Sequence, residues 1–300
     1  MLKNYPASKY HPFDVILVKD FSQDEMIGLE NDYHIEPQLL EYVNDKKGPA
    51  RIDDDTDDEN VIMVFWVPVN EKSHSEPVSV IFQGQNMFVF SNSKMSFFNQ
   101  SIEQLLVKQH DTRTAFLFDL ILLTMDRYID IISRLSERAE HIQAHLSSHR
   151  NNKNFEDLTR VNQDIVFLRP SIQENSDCFA EIKSFYKDAR AQPDKSDIRQ
   201  IHKINIAVKQ TTRMIDLISE NIQQLSDAYD RLINNDLNSI MRFLTVWSLL
   251  LAIPPIVSGF YGMNMHLPLA QNNLSWLFSL VVTAVLMLIL VIYLRQHHSL

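Results

Sequence analysis

The chain has 300 residues, with 38 acidic against 28 basic side chains and a formal net charge of −10. An acid excess of this kind argues against nucleic acid as a partner, which needs a basic face. The one cysteine, Cys178, excludes an intramolecular disulfide and fits a reducing compartment for the large domain. In chain order, Met1 to Asp14 shows no apolar core of signal-peptide type, so insertion through C-terminal segments is expected. Val15-Ile16-Leu17-Val18, inside Asp14 to Asp20, reads as a buried strand. Glu36 to Val43 reads as a short helix, with Pro37 tolerated in its first turn. The run Asp53-Asp54-Asp55-Thr56-Asp57-Asp58-Glu59 lacks EF-hand spacing and reads as a solvated loop. Val61 to Val69, Val78 to Phe82 and Met87 to Phe90 read as further strands, with Gly84 in a turn between the last two. The N-terminal third is therefore a small mixed α/β unit whose strand order is not readable.

From Asn99 the pattern becomes helical. Ser101 is placed to cap a short helix ending near Gln109. Thr112 opens a long helix to about His145, with apolar residues three, four or seven apart. The Asn151 to Asn154 stretch breaks it, and a second long helix follows from Phe155 to about Arg190. Pro170 removes a backbone donor and should kink that helix. Gln192-Pro193-Asp194 is the next break.

The last segment before the charge-free run is the most regular. Ile201, Val208, Ile215, Ile222 and Tyr229 recur every seven residues, and Ile204, Thr211, Ile218, Leu225 and Leu232 form the second column. That is the a/d pattern of a coiled-coil-like stalk. Neither Pro nor Gly interrupts the chain from Asp194 to Ile253, so the helix is expected to continue into a membrane. About sixty residues at 1.5 Å each give roughly 90 Å of helix. A helix of that length needs partners, either the two helices before it or other copies of the chain.

From Phe243 to Leu294 there is no Asp, Glu, Lys or Arg. One bilayer span takes about 20 apolar residues, so this run holds two, separated by Tyr261-Gly262-Met263-Asn264 and a polar connection. Arg231 and Arg242 precede the first span and Arg295 follows the second, which places both termini on the cytoplasmic side and the turn outside. One hairpin cannot enclose a pore; several copies around an axis can. Asn238, Met241, Thr245, Ser248, Ala252 and Pro255 form a small or mildly polar stripe at helical spacing. Such a stripe marks either a pore lining or ordinary helix packing in membranes. Pro254-Pro255 either kinks the span or offers the freed carbonyls of Leu250 and Leu251 to a pore. Tyr261 is either an interfacial anchor or part of the lining. A charge-free conduit must work through oxygen dipoles and water. Mg2+ suits it, because that ion gives up its water reluctantly, and a ring of Asn264 oxygens can accept hydrogen bonds from its hydration shell. His266, alone in a loop, and His297-His298 read as solvated. No Walker-type phosphate loop and no nucleophile–base set stands out, so neither an enzyme nor a resident cofactor is expected.

Tyr261-Gly262-Met263-Asn264, directly after a Pro-bearing span and before a second C-terminal span, resembles the CorA family of divalent-cation transporters. The resemblance extends over the whole chain. It implies an α+β cytoplasmic domain with a long helical stalk and two C-terminal transmembrane helices, assembled as a funnel-shaped homopentamer in the cell inner (plasma) membrane. It implies passive transport of Mg2+, with Co2+ or Ni2+ as further cargo, regulated by intracellular Mg2+ bound between cytoplasmic domains. It implies that Gly262, Met263 and Asn264 form the outer mouth and selectivity ring, with Asn264 touching the hydrated ion. Asn238, Met241 and Leu244 fall at the family's inner pore neck. Candidate lining residues are thus Asn238, Met241, Leu244, Thr245, Ser248, Ala252, Pro255 and Tyr261. The regulatory site is not assigned to residues. Three departures stand out: Met265 to Leu269 holds no acid, Ile256 follows the Pro pair where a polar residue is usual, and Arg295-Gln296-His297-His298 is less basic than the family's C-terminus. A zinc transporter of the wider family, or a non-conducting coiled-coil scaffold, is the alternative. The expected segments are 1–98 (α/β unit), 99–193 (long helices), 194–260 (stalk and first span), 261–273 (extracytoplasmic loop), 274–294 (second span) and 295–300 (tail). Expected partners are the chain itself, membrane lipid and divalent cations.

Overall fold

The computed structural model describes residues 2–45, 48–55, 60–69, 74–145, 152–188, 195–263 and 275–296. The chain divides into two compact units, Met1–Leu225 and Ser226–Leu300. In the first, strands β1 (Leu2–Tyr5), β2 (Asp14–Lys19), β3 (Arg51–Asp55), β4 (Asn60–Pro68), β5 (Ser75–Gln83) and β6 (Asn86–Ser91) form one sheet in the order β1-β2-β6-β5-β4-β3. All neighbours are antiparallel except β2 and β6, which run parallel with Asp14 opposite Asn86. β5 and β6 are joined through Gly84, whose φ of +54° suits a residue without a side chain.

Strand periodicity builds both cores. Ile16, Val18, Ile62, Val64, Ile81, Phe88 and Phe90 face one side and pack on Leu29 of α1 (Gln23–Tyr33) and Leu39, Leu40 and Val43 of α2 (Pro37–Asn44). Val15, Leu17, Met63, Phe65, Val80, Met87 and Val89, their alternate neighbours, face the other side. There they meet α3 (Ser96–Leu105), α4 (Arg113–His145), α5 (Asn152–Asp188) and the first part of α6 (Lys195–Tyr261).

Several expectations hold with small shifts. β2, β4, β5, β6 and α2 lie where the apolar patterns put them. Thr112 caps α4, its hydroxyl accepting the Ala115 N–H at 3.1 Å. α5 passes through Pro170 as one helix and starts at Asn152, three residues before Phe155, so Asn152 to Asn154 belong to its first turn and not to a break; Asn151 and 192–194 lie outside the described residues.

Two readings are corrected. Ser101 is not a cap: it sits buried inside α3, donating to the Phe97 carbonyl at 3.0 Å, because the helix starts five residues earlier at Ser96. Asp53 to Asp55 is not loop but edge strand, since β3 pairs backbone to backbone with Ile62, Val61 and Asn60 and leaves its outer edge to water. The rest of that acidic run, 56–59, lies outside the described residues.

The heptad columns of α6 are buried from Ile201 through Val208, Thr211, Ile215, Ile218 and Ile222 to Leu225. They share one apolar cluster with Leu158, Ile165, Leu168 and Ile172 of α5 and with α4. Arg169 pairs with Asp216 at 2.9 Å, and Gln200 donates to Asp119 at 3.3 Å, fixing α6 to both helices. This part of the stalk is therefore covered within its own chain. Tyr229 and Leu232 are half-buried, and beyond them the helix is largely exposed.

At the sheet's far edge β3 begins with Arg51 opposite Val64, so Trp66 of β4, which faces Pro77 of β5 on one side, has no partner from β3 on the other. Asn175 of α5 takes that place. Its amide nitrogen donates to the Trp66 carbonyl and its oxygen accepts the Trp66 N–H, both at 2.8 Å. The adjacent Glu174 carboxylate accepts from the Trp66 indole and from the Ala50 N–H.

Candidate functional site: the helix hairpin and its turn

Two described helices are long and apolar enough to cross a membrane: the one reaching Tyr261, and α7 (Ser275–Gln296). Both belong to the second unit in their apolar parts, and Arg242 and Arg295 bracket them.

The apolar part of α6 has two unlike faces. Val246 and Val257 are buried, and Leu250, Ile253, Pro254 and Tyr261 are half-buried. At 3.6 residues per turn these positions lie together on one side. Leu294 of α7 is buried too, and the Tyr261 ring meets Phe278 edge-on with centroids 6.5 Å apart. This is the α7-facing side. Asn238, Met241, Thr245, Ser248, Ala252 and Pro255 lie on the opposite side, and all are exposed, as is Leu244 at its border. In hydrophobic surroundings an exposed face of small and hydroxyl-bearing side chains differs from α7, whose outward side chains are almost all large and apolar.

Tyr261 therefore stands apart from the other proposed lining residues. It occupies the face turned to α7.

The Thr245 hydroxyl donates to the Met241 carbonyl at 2.8 Å, and Ser258 donates to the Pro255 carbonyl at 3.2 Å. Hydroxyls bonded this way keep acceptor lone pairs for outside groups. Pro254 and Pro255 have no N–H, so the Leu250 and Leu251 carbonyls lose their helical donors.

The helix ends at the motif. Gly262 N–H closes the last turn on the Ser258 carbonyl at 2.9 Å, and Met263 N–H reaches the Phe260 carbonyl at 3.4 Å. A Cβ on Gly262 would sit 3.3 Å from the Ser258 oxygen, tighter than ordinary contact. At Gly259 a Cβ would meet nothing within 4 Å, so only the second of the two glycines is held by local packing. Gly262 and Met263 are exposed. Asn264, His266 and the connection to α7 lie outside the described residues, as do His297 and His298.

Perturbed ionisable groups lie in the first unit. Asp126 of α4 is held above the usual aspartate range by partial burial and by the neighbouring charge of Asp130. Burial pushes the Cys178 thiol well up, with Glu181 and Asp53 adding to it, which makes the thiol inert. Among the described residues, no cluster of three or more His, Cys, Asp or Glu is placed to hold a metal ion.

The profile of the family described as CorA-like Mg2+ transporter protein matches residues 17–296. The chain belongs to this family. Among relatives, the cobalt/magnesium transport protein CorA of Methanocaldococcus jannaschii is 22% identical over 288 residues, which is 92% of this chain and 88% of that one. The complete structure of the CorA magnesium transporter from the same organism superposes with a TM-score of 0.80 at 19% identity, covering 94% of this chain and 90% of the other. The cytoplasmic domain of ZntB from Vibrio parahaemolyticus superposes with a TM-score of 0.64 at 9% identity, over 78% of this chain and 98% of that domain. The chain thus has a CorA-like fold: a soluble α/β unit, a long helix and two candidate C-terminal spans.

The sequence missed Phe278 as the counterpart of Tyr261. The available signal was positional: an aromatic residue in the first turn of the second span, at the same end of the hairpin as Tyr261 at the end of the first.

Proposed function

We propose that this CorA family member passes divalent cations, chiefly Mg2+ and also Co2+ or Ni2+, through a homopentameric pore in the cell inner membrane. The observation that carries the reading is the charge-free hairpin whose first helix turns small and hydroxyl-bearing residues away from α7 and ends in Gly262-Met263. Copies arranged around an axis would bring those faces together, with α7 outside toward lipid. The names of the relatives, which carry magnesium and cobalt, support the same cargo.

In this reading Asn238, Met241 and Leu244 form the inner neck, with Thr245, Ser248, Ala252 and Pro255 above it. Gly262, Met263 and Asn264 form the outer mouth. Asn264 oxygens accept hydrogen bonds from the ion's water shell, so selection costs no dehydration. Binding stays loose enough for release because only neutral dipoles are offered. The membrane potential drives entry, at roughly 4.6 kcal/mol per divalent ion per 100 mV. Mg2+ is both cargo and regulator. Carboxylates of neighbouring cytoplasmic domains bridge through intracellular Mg2+ and hold the pore shut; its loss opens it. Both termini lie in the cytoplasm.

The test is Mg2+ uptake into liposomes holding the full chain. Wild type conducts, Asn264→Ala does not, and raised internal Mg2+ suppresses flux. Uptake that prefers Zn2+ over Mg2+ replaces the cargo assignment. Permeation untouched by Asn264→Ala removes the site, and flux indifferent to internal Mg2+ removes the gate.

A further inference from the structure

We infer that Tyr261 is a positioning residue, which holds the Gly262-Met263 turn through Phe278 of α7 instead of lining the ion path. This rests on the transport reading above and assigns a role inside it.

Three observations converge. The Tyr261 and Phe278 rings meet at 6.5 Å with planes 68° apart, the edge-to-face arrangement that aromatic pairs prefer. Tyr261 follows Val257 by one helical turn and so continues the shielded line of buried Val246, half-buried Ile253 and buried Val257, whereas Ala252 and Pro255 point away. Tyr261 is half-buried between exposed Phe260 and exposed Gly262 and Met263. The next link is backbone. Gly262 N–H is tied to the Ser258 carbonyl at 2.9 Å, so Tyr261 sits inside a closed turn and Gly262 moves with it. A side chain at Gly262 would meet that same carbonyl, since a Cβ built there lies 3.3 Å from it. Phe278 is the fourth residue of α7, so the ring pair joins the two helices at the end where the chain connects them.

The ring, not the hydroxyl, does this work. In liposomes holding the full chain, Tyr261→Phe leaves the KM for Mg2+ within about twofold of wild type. Tyr261→Leu and Phe278→Leu each raise KM roughly two- to tenfold, the range an aromatic pair supports. The double variant is no worse than either single one. Three results would overturn the assignment: Tyr261→Phe as damaging as Tyr261→Leu, losses that add in the double variant, or a fall in Vmax with KM unchanged. A wild type that carries no divalent ion sinks the transport reading itself. In that event thermal unfolding of the same four variants still decides the contact: coupled losses support it and additive losses remove it.

Discussion

Between Ile201 and Leu225, α6 buries both heptad columns against α4 and α5; between Ile233 and Leu244, the same helix leaves Ile233, Leu237, Ile240, Met241, Phe243 and Leu244 exposed. The first stretch shows that a coiled-coil pattern can be answered inside one chain. The second shows apolar surface that its own chain leaves open, of the kind that marks an interaction with lipid or protein. Periodicity tells which face is to be covered, and only the fold tells by whom. The seam from Ile201 to Leu225 is thus already closed by helices of the same chain.

The sharpest way to break this contrast is to truncate one residue in each stretch. Ile218→Ala is expected to lower unfolding stability by about 2–5 kcal/mol, as for other buried isoleucines. It is read from thermal or denaturant unfolding of the full chain in detergent. A smaller change tests the support beneath the covered stretch. Asn175→Ala leaves the Trp66 N–H and carbonyl without partners and is expected to cost about 1–3 kcal/mol, with faster hydrogen exchange at the Trp66 amide. Normal exchange there would show that the clamp is dispensable. Leu237→Ala, in the open stretch, should shift unfolding by no more than about 0.5 kcal/mol while weakening self-association in light scattering. Equal unfolding losses at Ile218 and Leu237 would erase the distinction.

The smallest effect is electrostatic. Asp126 has a folded-state pKa raised above its ordinary value of 3.8, so the folded chain holds the proton longer than the unfolded one. Stability therefore falls as pH rises from the ordinary value through the raised one, and then levels. The group is mostly exposed and solvent screens it, so the slope is shallow. Asp126→Asn should flatten it, and an unchanged pH profile would refute the assignment.

Much of this was legible in the sequence because burial writes itself as period. The strands β2, β4, β5 and β6 alternate or run apolar, and the long helices carry three-and-four spacing. β1 and β3 were missed because they are edges: one is short and exposed, the other carries Asp53, Asp54 and Asp55, and neither looks like a strand by composition. α1 was missed although Ser22 and Glu25 form a capping box, a local signal that a weak apolar stripe hid. Ser101 misled because a serine inside a helix can bond its own carbonyls as readily as it caps. At the candidate site, the exposed stripe from Asn238 to Pro255 followed from spacing alone. The side taken by Tyr261 did not, because one residue at a helix end sits within reach of two faces, and a partner 17 positions later settles the matter.

The parallel pairing of β2 with β6 has a consequence for how the chain is made. Asp14 must wait for Asn86, 72 residues downstream (86 − 14), before the centre of the sheet can close. The β3-to-β6 meander joins neighbours in sequence and can zip as it is synthesised, whereas long-range closure is slow. During that interval Val15 to Val18 present a bare apolar ribbon on the nascent chain, and chaperone capture during translation should centre there.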